Sequence, residues 1–346
     1  MTFRLLPEWH QQDAVMLTWP HSNTDWAANL AAVESVYLAL CDHISQRQKL
    51  LIVVDNEALE AHIRSRLTAQ HTDLNQVRFV RAQCNDTWAR DHGPLTLSDG
   101  KQLKALDCQF TAWGGKYAAE KDNAINQQVF AQALSAQVNV ERSEFILEGG
   151  AVEINEHGVL LSTRQCVHNE NRNQQLSAAQ IDSTLAQLLG AQKILWLEHG
   201  YLAGDDTDSH IDTLVRFAPN NVLVYVHCDD PNDEHYQALG AMREELVALR
   251  GLDNEPYHLI ALPWPRPITN AEGQRLPATY ANYLIINGAV LVPTYNDPHD
   301  AVALKQIAKA YPEREVIGID CRALIEQFGS LHCITMQLPH GFLEER

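Results

Sequence analysis

Basic residues and long apolar runs are both scarce in this sequence. The 346 residues include 26 Lys and Arg against 44 Asp and Glu, which gives a net charge of −18. This balance argues against nucleic acid or an anionic membrane as a partner, because both bind basic surfaces. An acidic surface keeps a protein soluble, and it can also attract a cationic ligand. No apolar run is long enough to predict a transmembrane helix.

Paired-cysteine motifs, a signal peptide and linkers are missing as well. The seven Cys are an odd number, and none has the two-residue spacing of structural zinc sites. The first ten residues, MTFRLLPEWH, contain no apolar stretch typical of a signal peptide. We therefore expect a cytoplasmic protein with reduced thiols. No Gly-, Pro- or Ser-rich segment divides the chain, so we predict a single domain over residues 1–346.

A pattern of hairpin, helix and strand recurs roughly every 60 to 70 residues. Paired β-rich runs around turn residues predict hairpins over 95–103, 151–161, 213–226 and 283–293. Helical periodicity follows over 123–135, 177–190, 232–249 and 299–310. Predicted strands come next, at 144–147, 193–197, 257–262 and 315–319. A helix over 28–47 and a strand at 50–54 add a fifth unit, which segments 14–19 and 333–337 complete. The pattern predicts an α/β fold with pseudo-fivefold symmetry.

Cys333 is the strongest candidate for a nucleophile. It lies in GSLHCIT, residues 329–335, and a His and several carboxylates occur far upstream. A lone thiol with such partners elsewhere in the chain is a typical nucleophile with its base. The alternative is a buried structural Cys, which is the usual fate of this residue and the one we expect for the other six.

The candidate partners of Cys333 occupy equivalent places in the repeats. Asp91 (in WARDHGP) and Glu148 (in EGG) precede a predicted hairpin, and His210 and Asp212 (in DDTDSHID) begin one. His210 and Asp212 would face the same side of a strand. The alternatives are structural: an Arg90–Asp91 ion pair in a turn, a tight glycine bend, and an acidic loop with a polar His. Each motif by itself is weak evidence for a site, but the repeat places all of them at the mouth of the predicted pseudo-fivefold axis.

Clustered acids beside a thiol suit a guanidinium group. Carboxylates pair with its N–H groups, a thiolate attacks its carbon, and a His protonates the leaving ammonia and then activates water. Trp88 could cover the cation, and Trp113 begins a glycine-rich loop over 113–117 that could close over it. Surface packing is the alternative for Trp113. Because the adjacent His-Cys pairs have poor ligand spacing, we predict no metal.

These motifs resemble the agmatine deiminase and bacterial peptidyl-arginine deiminase family. The similar segments also include PEWH at 7–10, MLTWP at 16–20, NGAVLVP at 287–293 and HCIT at 332–335. The resemblance implies the pentein fold, a five-bladed α/β propeller. It implies that Cys333 is the nucleophile and His210 the general acid/base, oriented by a hydrogen bond to Glu148. It further implies that Asp91 and Asp212 hold the guanidinium.

The resemblance also implies a substrate and leaves its far end open. It implies hydrolysis of agmatine to N-carbamoylputrescine and ammonia, through a thiouronium on Cys333, on the route to putrescine. Asp206 stands where the family usually has a Glu that meets the distal amine, and Ser209 stands where a Gly is usual. An arginine or peptidyl-arginine deiminase, with Arg266 as a carboxylate partner, stays open, as does a non-catalytic binding module. We expect a small cationic guanidino substrate and no cofactor; homo-oligomerisation is undetermined.

Overall fold

The computed structural model describes residues 2–345 and arranges their strands in five separate sheets. The strands are β1 Arg4–Leu5, β2 Gln12–Thr18, β3 Lys49–Val54, β4 Val77–Arg81, β5 Leu95–Ser98, β6 Leu103–Gln109, β7 Asn139–Ile146, β8 Glu153–Ile154, β9 Val159–Thr163, β10 Lys193–Leu197, β11 Val215–Ala218, β12 Val222–Val226, β13 His258–Leu262, β14 Leu284–Ile286, β15 Ala289–Thr294, β16 Glu315–Asp320 and β17 Thr335–Pro339. The α-helices are α1 Leu30–Ser45, α2 Glu57–Ala69, α3 Ala89–His92, α4 Ala112–Gly115, α5 Ile125–Ala133, α6 Arg164–Val167, α7 Ala178–Leu189, α8 Tyr236–Ala248, α9 Asp300–Ala310 and α10 Arg322–Ile325.

Each sheet combines an antiparallel strand pair with a parallel strand added after a helix. The sheet orders are β1-β5-β6-β7, β10-β9-β8, β11-β12-β13, β14-β15-β16 and β17-β2-β3-β4. Thus β8 and β9 pair antiparallel, whereas β9 and β10 pair parallel, with α7 between them in sequence. A parallel pair needs such a crossover, because a tight turn can only reverse the chain.

The two ends of the chain share the fifth sheet. Strand β17 pairs antiparallel with β2, Thr335 opposite Leu17, and β2 then pairs parallel with β3. The predicted joining of the two terminal segments is therefore confirmed. This pairing carries the segment around Cys333 back beside residues from the start of the chain.

Local sequence signals explain where the elements begin and end. Helix α7 starts at the capping box of Ser177 and Gln180, and it ends at Gly190, whose φ is 65°. Strand β3 is buried at every position except Lys49, which matches its unbroken run of apolar residues. Buried side chains from the sheets and helices form two large apolar clusters that contain residues from both ends of the chain.

The predicted elements are confirmed with shifted boundaries. Strand β10 coincides with the prediction, whereas β7 begins five residues before predicted residue 144. Helix α8 starts at Tyr236 rather than at 232, because the preceding residues form a hydrogen-bonded turn around Asp230 and Asp233. Helix α2 and strand β4 were not predicted. Strand β4 extends the fifth sheet by one strand. None of the helices within residues 2–345 is long and apolar enough to cross a membrane.

In each sheet one antiparallel strand follows a short turn that carries a polar residue or the candidate thiol. Asp91 precedes β5, Glu148 precedes β8, and Asp212 precedes β11. Asn282, which was not predicted, precedes β14, and Cys333 precedes β17. All five sheets therefore present a residue from the same place in the repeat, and four of these five residues are predicted candidates. His210 and Asp212 lie at a 3-10 turn, Ile211–Thr213, and not on a strand as predicted, because β11 begins only at Val215.

The glycine at the end of α7 provides a test of the fold. A Cβ on Gly190 would lie 2.1 Å from the carbonyl oxygen of Phe3, and its φ is positive. Gly190→Ala should therefore lower the free energy of unfolding by more than about 1 kcal/mol. Gly240→Ala, within α8 and with open space around it, should instead raise it by up to about 1 kcal/mol. Chemical denaturation measures the free energy of unfolding of both variants. Equal stabilities would contradict the conclusion that the fold requires a glycine at position 190.

Candidate active site

Gly150 marks the point where the candidate side chains meet. A Cβ built on it would lie 2.6 Å from His210 Nδ1, 2.9 Å from Asp91 Oδ1 and 3.1 Å from Asp212 Oδ2. The glycine is therefore required because any larger residue would fill the space among these groups. Its backbone N–H also donates to Asp91 Oδ1 at 3.0 Å. The bend predicted at 149–150 is real, and it forms one wall of the site.

Asn282 holds the candidate nucleophile. Its side-chain oxygen accepts from the Cys333 thiol at 3.3 Å and from the backbone N–H groups of His332 and Cys333. Burial, together with the carboxylates of Asp212 and Asp91, raises the pKa of Cys333 well above its ordinary value. The thiol is therefore protonated while nothing cationic is bound. A cation placed among these carboxylates would reverse the electrostatic part of that shift.

Asp91 is buried with both oxygens committed to donors. Oδ1 accepts from Gly150, and Oδ2 accepts from the Trp113 indole at 3.0 Å. Burial raises the pKa of Asp91 to about 6, and the nearby Asp212 and Glu148 contribute, although His210 opposes the shift. The structure contains no Arg90–Asp91 ion pair within its described residues, because Arg90 turns away to Glu8 and Gln337.

His210 lies between two carboxylates. Nδ1 is 3.6 Å from Asp91 Oδ1, and Nε2 is 3.9 Å from Glu148 Oε2, too far for the hydrogen bond that the resemblance implied. Glu148 instead accepts from Arg172 Nε at 2.9 and 3.0 Å. Burial lowers the pKa of His210, but Asp91 and its other neighbours outweigh burial and raise the pKa well above the ordinary value. His210 is therefore an imidazolium that can act as an acid.

Arg172 explains why Glu148 does not reach the imidazole. The guanidinium is buried, and besides Glu148 it binds Asp208 Oδ2 at 2.7 Å and the carbonyl oxygen of Thr207 at 3.0 Å. Burial alone would raise the pKa of Glu148, but His210 and Arg172 lower it below its usual range. Glu148 is thus a fixed anion that faces the ring of His210 without bonding to it.

The second predicted clamp, Asp212, is held from behind. Its Oδ2 is 2.7 Å from His332 Nδ1, and its Oδ1 is buried and accepts no hydrogen bond from the described residues. Burial would raise the pKa of Asp212, but the bond to His332 lowers it below the ordinary value. Asp212 is therefore ionised and has one oxygen free for a ligand.

A cavity of about 230 Å³ leads from Cys333 and His210 to the surface. Its walls include the rings of Trp88, Phe110 and Trp113, with only 6% of each Trp exposed. The wall also includes five further Asp: Asp25 is exposed, Asp86, Asp205 and Asp206 are half-buried, and Asp122 is buried. A cavity with aromatic walls and carboxylates at both ends suits a ligand whose alkyl chain carries a cation at each end.

The segment over 113–117 belongs to this wall. Trp113 is packed among rings and bonded to Asp91, which excludes the surface-packing alternative. Tyr117 is half exposed, and its hydroxyl donates to Asp206 Oδ2 at 2.7 Å. Lys116 binds Asp208 at 2.8 Å, so this segment is already tied across the mouth. Asp206 lines the cavity as predicted, whereas Arg266 lies elsewhere, 3.6 Å from Asp297.

One cluster within residues 2–345 has the composition of a metal site. Glu148, Cys166 and His210 place one ligand atom each within 4.8 Å of one another. Arg172 already occupies Glu148, and its positive charge opposes a cation at that point. The absence of a metal from the reaction stays a prediction.

Sequence reasoning missed several residues in and behind the site. Five are buried and Glu8 is half-buried; they are Asn282, His332, Arg172, Cys166, Arg216 and Glu8. The repeat could have identified Asn282, because it stands just before β14, as Cys333 stands just before β17. Glu8 lies within the N-terminal segment whose resemblance was noted, but nothing in its neighbourhood predicts a partner 324 residues away.

The sequence and fold resemble those of known deiminases over nearly the whole chain. The agmatine deiminase of Pseudomonas syringae is 29% identical, with 98% of this chain and 96% of the relative covered. The structure of C. jejuni agmatine deiminase with substrate bound is 38% identical, with a TM-score of 0.89 over 99% of this chain and 97% of that one. A Porphyromonas gingivalis structure provisionally assigned as an arginine deiminase is 44% identical, with a TM-score of 0.91 over 99% and 100%.

Fold and site thus define a hydrolase that acts on carbon–nitrogen bonds. The chain belongs to the Porphyromonas-type peptidyl-arginine deiminase family, whose profile matches residues 4–339. The expected fold class is confirmed as far as its mixed α/β content. An amidinotransferase of Microseira wollei, only 11% identical, shares the fold alone, with a TM-score of 0.53.

The carboxylates around Cys333 predict how fast its thiol reacts with an alkylating reagent. Asp91→Asn removes one of the negative charges that raise the thiol pKa, so alkylation at a fixed neutral pH should become faster. Each pKa unit by which the thiol is lowered increases its thiolate fraction about tenfold. Asp206→Asn, at the mouth, should leave the rate unchanged. Mass spectrometry of the peptide that carries Cys333 measures both rates, and slower alkylation of Asp91→Asn would contradict this electrostatic account.

Proposed function

We propose that this protein hydrolyses agmatine to N-carbamoylputrescine and ammonia. The observation that carries the proposal is that Asp91, His210 and Cys333 line one acidic cavity, and that Asp212 meets Asp91 and His210 around Gly150. Two buried carboxylates match the N–H groups of a guanidinium, and the thiol beside them matches the need for a strong nucleophile. The names of the relatives support the same substrate.

The proposed reaction has two steps through Cys333. Binding of the guanidinium between Asp91 and Asp212 offsets the negative charge that keeps the thiol protonated, so the thiol loses its proton to water. The thiolate then forms a bond to the guanidinium carbon, and one C–N bond breaks as ammonia leaves with a proton from His210. A thiouronium remains on Cys333. Water, deprotonated by His210, adds to the same carbon, and cleavage of the C–S bond releases the ureido product.

The imidazolium form of His210 supports its role as the acid. Asp91 is the first neighbour that raises its pKa, and it also contributes to the cradle for the substrate. Glu148 carries a fixed negative charge 3.9 Å from Nε2, and this charge would orient the His210 ring without a hydrogen bond to it. Trp88 and Trp113 complete the proposed binding site by enclosing the cation and the alkyl chain.

We further propose that residues 1–346 form one catalytic domain with the five sheets arranged as a five-bladed α/β propeller. The repeated position of Asp91, Glu148, Asp212, Asn282 and Cys333, one before an antiparallel strand of each sheet, supports this arrangement. The product would supply putrescine synthesis. A reducing cytoplasm suits the seven cysteines, which are all unpaired in the structure.

Agmatine fits the mouth of the cavity better than free arginine does. The cavity wall presents Asp25, Asp86 and Asp206, which attract an ammonium and repel an α-carboxylate. Lys116, the nearby cation, is bound to Asp208 and to the carbonyl oxygen of Asp206. Arg266 does not line the cavity, so the expected carboxylate partner is not at the site.

Ammonia release tests the proposal. Agmatine, arginine and a blocked peptidyl-arginine are compared with the wild type, with Cys333→Ser and with Cys108→Ser as a matched control. We expect turnover of agmatine, retention of activity in Cys108→Ser, and loss of turnover in Cys333→Ser, because a hydroxyl ionises far less than a thiol. Turnover by a folded Cys333→Ser protein would refute the covalent route. Absence of ammonia from all three compounds would favour a binding module.

Asp206 is expected to set the preference for agmatine. Its carboxylate lines the cavity and accepts from Tyr117, so Asp206→Asn should weaken agmatine binding and narrow the agmatine-to-arginine ratio of kcat/KM. Juxtaposed like charges cost up to several kcal/mol, so the wild-type kcat/KM for agmatine should exceed that for arginine by roughly a hundredfold. Glu313→Gln, which removes an exposed charge outside the cavity, serves as the control. An unchanged ratio in Asp206→Asn would assign Asp206 to loop structure alone.

A further inference from the structure

A buried imidazole connects the substrate clamp to a charged cluster on the far side of the site. His332 is 1% exposed; its Nδ1 is 2.7 Å from Asp212 Oδ2, and its Nε2 is 2.8 Å from Glu8 Oε1. Nε2 is also 3.0 Å from Arg216 Nη2. Glu8 itself receives Arg90 at 3.1 Å and the Gln337 amide at 2.9 Å.

The neighbours of His332 determine which ring nitrogen carries hydrogen. The carboxylate of Asp212 is the hydrogen-bond partner of Nδ1, and a carboxylate only accepts. A lone pair on Nδ1 at 2.7 Å from an anion would be repulsive, so Nδ1 bears hydrogen whether the ring is neutral or charged. At Nε2 the Glu8 carboxylate, 2.8 Å away, accepts hydrogen from a charged ring, whereas Arg216, 3.0 Å away, donates to a neutral one.

The remaining charges favour the neutral ring. Burial lowers the pKa of His332, and Arg216 and Arg90 lower it further, although Glu8 and Asp212 oppose them. A neutral ring with hydrogen on Nδ1 alone donates to Asp212 and accepts from Arg216. Because Oδ2 is occupied in this way, Oδ1 of Asp212 is the oxygen left without a partner among the described residues.

We propose that His332 is a positioning residue for the reaction: its Nδ1–H directs Asp212 so that Oδ1 faces the substrate guanidinium. The inference rests on the proposed function, because Asp212 acts there as one clamp of the guanidinium. His332 acts through Asp212 and touches neither the substrate nor the reacting carbon. His332, the residue directly before the nucleophile, would therefore have a role in substrate binding through its side chain.

Two amide substitutions separate this role from simple packing. The side-chain N–H₂ of Asn can stand where Nδ1 stands and donate to Asp212, whereas Gln places its amide near Nε2. In a Cys333→Ser background, which leaves agmatine uncleaved, calorimetry gives Kd for His332, His332→Asn, His332→Gln and His332→Leu. We expect Asn to stay within about threefold of His, and Gln and Leu to weaken binding at least about tenfold. Thermal unfolding verifies that each variant is folded.

The outcomes distinguish this inference from the proposed function. If Gln and Leu bind agmatine as tightly as His does, or if Asn and Gln lose equal affinity, the positioning role is wrong while the proposed function stands. If the His332 protein itself binds neither agmatine nor arginine nor a blocked peptidyl-arginine, the proposed function and this inference both fail.

A spectroscopic measurement needs no variant of His332. Nitrogen-15 chemical shifts of the histidine rings in the labelled protein report which ring nitrogen carries hydrogen. We expect hydrogen on Nδ1 of His332 near neutral pH. A ring with hydrogen on Nε2 alone would overturn the inference.

Discussion

The architecture of the site depends on burying several carboxylates around Gly150. Asp91, Glu148 and Asp212 are almost entirely removed from water and lie near the Cys333 thiol and the His210 imidazole. Each buried negative charge is costly unless a partner compensates it. The partners are unequal, since Glu148 has Arg172 and Asp212 has His332, whereas Asp91 has backbone and indole donors and raises the pKa of His210. The centre of the site is thus short of positive charge, and a cationic substrate would supply it.

The guanidinium groups near the site do not line its cavity. Arg90, Arg172 and Arg216 are all buried, and each is bound to carboxylates. Burial raises the pKa of Glu153, the second carboxylate bound to Arg216, although Arg216 opposes the shift. The cluster therefore fixes the geometry of Asp212 and Glu148 without occupying the space that a guanidinium would fill. The same separation keeps the Cys333 thiol protonated until a cation arrives.

The sequence contained the repeat and the motifs, and these were enough to predict the α/β units and the convergence of Asp91, His210 and Asp212. It did not contain the partner of each group. Glu148 could be located before β8, but its choice of Arg172 over His210 depends on how residues 164–173 pack after β9. Asn282 and Glu8 act through contacts between units far apart in the chain, and no local pattern predicts such contacts. The departure at Ser209 has a structural meaning, because its φ is 67° and a glycine adopts that conformation at less cost.

The central claim is that Cys333 forms a covalent bond to the carbon of a guanidinium held by buried carboxylates. Rapid acid quenching of the enzyme during turnover of agmatine, followed by mass spectrometry of the peptide with Cys333, tests it most directly. His210→Asn is quenched in parallel, because loss of His210 should slow both the formation of the adduct and its release by water. The account predicts a mass increase on Cys333 equal to agmatine less ammonia. Turnover with an adduct on another cysteine, or with none on Cys333 in either protein, would contradict it.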